Sequence, residues 1–169
     1  MVADSDRLDA ERQLGRAPRS LAGVAARCPF GRPAVLLQAP YDERGAPFPT
    51  LYWLSCPALV QAVGRLEAAG GIASVAALLA DDPELASDHD RAEERVRSVR
   101  ARLAPPATPM LDDGAALAAG IAGEASGGGL KCLHAHAALA LADPPYLLGE
   151  RVLELAGATY PTACCSAWL

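Results

Sequence analysis

The chain has 169 residues, a mass of 17.4 kDa, a formal net charge of −5 and a pI near 5.1. That is enough chain for one domain with a core of its own, without disulfide staples. The acidic balance argues against a general nucleic-acid or anionic-membrane binder, and no apolar run approaches the ~20 residues that cross a bilayer.

The N-terminus, Met1-Val2-Ala3-Asp4-Ser5-Asp6, is acidic where a signal peptide is basic, so the expectation is a cytoplasmic protein. Five cysteines in a reducing compartment then read as free thiols or metal ligands, not as a disulfide framework. Arginine supplies all the basic residues except Lys131, a skew that looks like genomic base composition.

In chain order, Leu8, Ala10 and Leu14 among charges predict a short helix over 4–14, capped by Ser5 or Asp6 and stopped by Gly15. Two short apolar runs, 21–28 and 33–38, flank Pro29-Phe30-Gly31-Arg32 and read as strands joined by a tight turn. A loop over 41–49 leads to a third strand at 50–55, which delivers the chain to Cys56-Pro57. There the period changes, because Leu59, Val63 and Leu66 recur at helical spacing and Pro57 suits a first helical turn. Gly70-Gly71 ends that helix, and another over 72–79 stops at Asp81-Asp82-Pro83. The most regular helix is expected over 90–103, with Ala92, Val96, Val99 and Leu103 on one stripe. Arg95, Arg97, Arg100 and Arg102, interleaved with Glu93 and Glu94, read as its solvated face, and His89 as a surface residue.

Prolines 105, 106 and 109 and the Ala/Gly-rich run after them make 104–129 a flexible or weakly ordered stretch, with at most a weak helix near 115–122. The glycines at 127–129 precede Lys131 but match no phosphate-binding loop, so they read as a linker. A strongly apolar helix over 130–142, a second over 148–155 and a short tail over 157–169 complete a single α+β domain. Its expected core is a small antiparallel sheet of about three strands packed by several helices.

The densest chemistry is Lys131-Cys132-Leu133-His134-Ala135-His136. On a continuous helix Cys132 and His136 share a face, whereas His134 is turned roughly 160° from Cys132. Cys28 and Cys56 stand at strand ends, where side chains converge without straining the backbone. Cys28, Cys56, Cys132 and His136 therefore form a Cys3His candidate set for tetrahedral zinc, with an iron–sulfur cluster as the alternative cofactor and His134 as the alternative ligand. Arg27 and Lys131 are its charged neighbours. No C-x2-C knuckle is present, and three small buried thiols are the competing reading. A second functional reading makes Cys132 a nucleophile at a helix N-terminus, with His136 as its base. Cys164-Cys165 suits a metal or redox site, or no site at all. No catalytic residue is assigned.

Three ordered blocks, Arg27-Cys28-Pro29-Phe30-Gly31-Arg32-Pro33, Pro47 to Pro57 and Lys131 to His136, resemble a bacterial family called domain of unknown function 501. The resemblance implies that Cys28, Cys56, Cys132 and the nearby histidines belong to one motif set. It departs at Leu139, where members often carry a further histidine, so the fourth ligand is left open. The family's gene neighbours imply a cell-division or polyphosphate context by association. The expected function is a metal-binding protein with a structural or regulatory role and an unidentified protein partner. The alternatives are a thiol enzyme, a metal-assisted hydrolase and a metal-free interaction module.

Overall fold

The structure is a computed structural model, and it describes residues 2–104, 110–124 and 129–165. The fold is α+β. Among the described residues six helices, α1 (Asp4–Leu14), α2 (Pro57–Ala68), α3 (Gly71–Asp81), α4 (Pro83–Leu103), α5 (Leu133–Ala142) and α6 (Leu147–Leu155), surround strands β1 (Leu21–Arg27), β2 (Pro33–Gln38) and β3 (Tyr52–Leu54). The sheet is antiparallel, in the order β1-β2-β3, with Ala26 opposite Val35 and Leu36 opposite Trp53. Among the described residues, no single helix is long and apolar enough to cross a membrane.

Most element ends follow from local chemistry. Gly15 stops α1 in the left-handed conformation, while Ala3 takes the N-cap position with no side-chain bond, in place of Ser5 or Asp6. Pro57 opens α2, where its missing N–H would have had no partner. At Asp82-Pro83 a stop is also a start. The Asp82 carboxylate accepts from the N–H groups of Glu84 (2.9 Å) and Leu85 (3.2 Å), and Pro83 fills the first turn, so α4 begins seven residues before the expected 90.

Arg100 departs from the solvated face expected of it. It is fully buried, and its guanidinium donates to the carbonyls of Phe48 and Pro49, pinning the loop before β3 to α4. Arg95 reaches Asp143 at 3.0 Å and the Pro145 carbonyl at 2.9 Å. The expected weak helix near 115–122 is instead two short 3-10 turns, Ala115–Leu117 and Ile121–Gly123. They are held by Ile121 N–H on Glu93 and by Tyr41 on Asp112. Prolines 105, 106 and 109 and glycines 127 and 128, read as part of a flexible stretch, lie outside the described residues.

The core closes around α5, whose Leu133 and residues 135–140 are all buried. Helix α6 packs against it through Gly149. A Cβ there would run into the His136 carbonyl and would lie 2.7 Å from the Tyr146 ring and 2.8 Å from the Ala140 Cβ. Tyr146, also fully buried, bridges two imidazoles, its hydroxyl 2.7 Å from His136 Nδ1 and 2.9 Å from His89 Nδ1. His89 is therefore half-buried and hydrogen-bonded, not a surface residue. Burial, and next the nearby His89, push the His136 pKa down to about 3.

Gly149→Ala should destabilise the fold by about 1–3 kcal/mol or more through overpacking, read as a lower denaturant midpoint; an unchanged midpoint would contradict the close approach. A pH effect follows from His136. Between pH 6.5 and about 3 the unfolded chain binds a proton that folded His136 refuses, so the contribution of this residue to stability falls as pH is lowered below 6.5. The contribution is of order 1 kcal/mol per pH unit, and urea titrations from pH 6.5 to 5 should show it as a falling midpoint.

Candidate functional site

The end of α2 meets the start of α5 at a half-buried cluster of three unlike side chains. Glu67 stands in the last turn of α2, where the helix dipole disfavours a carboxylate, and it is satisfied from outside. Its Oε1 accepts from the Leu133 N–H at 2.6 Å, one of the first-turn donors of α5 that has no partner within its own helix. Cys132 is the N-cap residue of α5, in extended conformation at φ −150°, ψ 112°. His134, two residues on, lies against α2 with Nε2 3.1 Å from the Val60 carbonyl oxygen and Nδ1 3.2 Å from Glu67 Oε1. Glu67, Cys132 and His134 each bring one ligand atom within 4.8 Å of the others.

The hydrogens follow from the acceptors. A carbonyl oxygen only accepts, so His134 Nε2 carries a hydrogen, and in a neutral ring Nδ1 would then point a lone pair at the Glu67 carboxylate. Either a second ring proton or a cation removes that conflict. With the proton, the hydrogen bond to Cys132 outweighs burial, and the Val60 carbonyl and Glu67 charge add to it, raising the His134 pKa to about 9.

A thiol–imidazole–carboxylate relay needs its two partners on opposite ring nitrogens. Here Val60 occupies one of them and Glu67 shares the side left for Cys132, so that relay is not made. A pocket of about 300 Å³ opens beside the cluster, walled by Tyr52, Trp53, Leu54 and Val60 and floored by Cys132 and His134.

The residues singled out from sequence fall into three places. Cys132 and the alternative ligand His134 are in the cluster. His136 is in the core, 1 % exposed and bonded to Tyr146. Cys28 and Cys56 are at one end of the sheet, where the Cys28 N–H donates to Arg32 and the Cys56 N–H to Ala34. Buried Cys165 lies near both, taking a 3.8 Å contact from Gln13 Nε2, a donor that also bonds the Pro33 carbonyl.

Among the described residues, Cys28, Cys56, Cys132 and His136 form no group in which three ligand atoms meet within 4.8 Å. The reason is local. The expected shared face required Cys132 to be helical, but α5 starts at Leu133, and the extended backbone at Cys132 turns its side chain back toward His134. Arg27 clamps both Asp6 oxygens at 2.8 Å and so ties β1 to α1, and Lys131 is exposed. Glu67 is not among the residues singled out from sequence. Its acidic charge in a helix's last turn was the available signal.

No curated protein and no solved structure matches the chain. A family model does match, over residues 24–154, a span that holds β2, β3 and the later part of β1, Glu67 and the whole Lys131-to-His136 block. The chain therefore belongs to the family described as protein of unknown function (DUF501).

Proposed function

We propose that this protein binds zinc through Glu67, Cys132 and His134 and leaves a fourth coordination position open to a ligand. The observation that carries the reading is the convergence of a thiol, an imidazole and a carboxylate within 4.8 Å, with His134 Nε2 committed to a carbonyl and Nδ1 left facing acceptors. Tetrahedral zinc bonds of about 2.0–2.3 Å place ligand atoms roughly 3.3–3.8 Å apart, a separation that side-chain adjustment within the cluster reaches. A mixed sulfur, nitrogen and oxygen set suits zinc; magnesium and calcium take oxygen alone. An iron–sulfur cluster asks for several thiolates, and this group has one.

Three protein ligands beside a pocket is the arrangement of zinc sites that hold a water or substrate, as opposed to closed structural sites. When bound, the ion supplies Lewis-acid polarisation of an oxygen ligand. The chain's own residues orient that centre. The Val60 carbonyl fixes the ring of His134, and the Leu133 N–H fixes the Glu67 carboxylate, the outer hydrogen bonds that hold metal ligands in place.

Protein purified without a metal-affinity tag should carry close to one equivalent of zinc. Cys132→Ser and His134→Ala should each weaken zinc binding at least 10-fold, whereas Cys28→Ala and Cys56→Ala should leave the zinc content unchanged, with circular dichroism confirming that all four fold. Zinc lost on Cys28→Ala and retained on His134→Ala would refute this site in favour of the four-residue set.

A further inference from the structure

The pocket beside the cluster has a chemical character of its own. Its volume of about 300 Å³ lies at the small end of the range for small-molecule sites, about 300–1,000 Å³. Its walls are Tyr52, Trp53, Leu54, Val60 and Ala135, with Thr50 as a polar addition, and among the described residues no lysine or arginine lines it. The aromatic wall is held from outside the pocket. Trp53 stacks on Phe48 at 5.4 Å between ring centroids, and the Arg16 guanidinium lies 5.4 Å from the Trp53 ring centroid. A wall fixed in this way exists before any ligand arrives, which lowers the ordering cost of binding.

Two further constraints narrow the occupant. Cys132 and His134 line the pocket but Glu67 does not, so the cluster presents its thiol and imidazole side to the cavity, with the carboxylate behind. The charge of the centre is the second constraint, because a zinc dication with one thiolate, one carboxylate and a neutral imidazole sums to zero. Such a centre draws no strong anion, and a phosphate group would sit unpaired against apolar walls, at a cost in desolvation.

We propose that this pocket binds a small organic molecule with an aromatic or branched apolar body and one uncharged or singly anionic oxygen head, the head on the ion and the body against Tyr52 and Trp53. The proposal rests on the zinc reading above. A nucleotide or other phosphorylated metabolite does not fit it.

The test uses the zinc-loaded full chain and three probes: acetohydroxamate, benzohydroxamate and phenyl phosphate, titrated by calorimetry with zinc content measured in parallel. The hydroxamates share a chelating head and differ in the ring. Both should bind, benzohydroxamate at least 10-fold more tightly, phenyl phosphate more weakly than benzohydroxamate, and zinc-free protein should bind none. Equal hydroxamate affinities on fully loaded protein would overturn the pocket assignment while leaving the zinc site standing. Tighter binding of phenyl phosphate would overturn the charge argument, and bound zinc with no hydroxamate binding would show a closed site and overturn the proposal. Failure to bind zinc at all would remove both readings, and the zinc measurement identifies that case.

Discussion

A helix buried on nearly every side must find partners for its polar groups outside itself, and α5 shows how that requirement organises this protein. Its first backbone donor, Leu133 N–H, is taken by Glu67 of α2. Its two imidazoles are taken by the Val60 carbonyl and by the Tyr146 hydroxyl. Asp143, just past its end, is held by Arg95 of α4. These bonds join α5 to α2, to Tyr146 at the start of α6 and to α4. An unmet polar group in such a place costs about 1–3 kcal/mol, so the bonds fix which neighbours can pack and in what orientation. At the candidate site this accounting leaves acceptors facing one another.

The fold was legible where a local signal is strong and acts alone. Gly15, Pro57 and the change from strand to helical period at Cys56 mark the boundaries the structure shows, and β2 runs from Pro33 to Gln38 as its apolar run suggests. Legibility failed where one residue serves two elements. Asp82-Pro83 reads as a terminator because proline stops a preceding helix, but the same pair caps and opens the next one. Arg100 shows a second kind of failure. The stripe pattern places charge outside, and only the tertiary demand of two loop carbonyls, Phe48 and Pro49, brings this guanidinium into the core.

The candidate site was legible in composition and not in geometry. The Lys131-to-His136 block stands out in an Ala-rich chain, and Cys132 and His134 from it do meet. The choice of partner histidine turned on where α5 begins, and the start of a helix is the least determined feature of a periodic pattern. A shift of the first helical residue from Leu130 to Leu133 exchanges an i,i+4 pair inside the helix for an N-cap residue, Cys132, folding back over the first turn. Glu67 was hidden for another reason, since it lies 65 residues before Cys132 and no local spacing connects them. Cys28 and Cys56, small and buried in the core cluster, fit the ordinary behaviour of free cysteine as a compact hydrophobe.

Two histidines separated by one alanine on the same helix come to opposite electrostatic ends. His136 points into the core, where burial removes its proton down to about pH 3, and its hydrogen bond is to a neutral hydroxyl. His134 points at α2, where a carbonyl, a thiol and a carboxylate hold a positive charge on the ring up to about pH 9. A group of acceptors that stabilises a proton there is equally suited to a metal cation that replaces the proton, because both compete for the same ring nitrogen. His136 lacks that surrounding. Among the described residues, His136 belongs to no group in which three ligand atoms lie within 4.8 Å of one another. On the zinc reading proposed above, the face each histidine presents selects His134, in the first turn of α5, as the ligand.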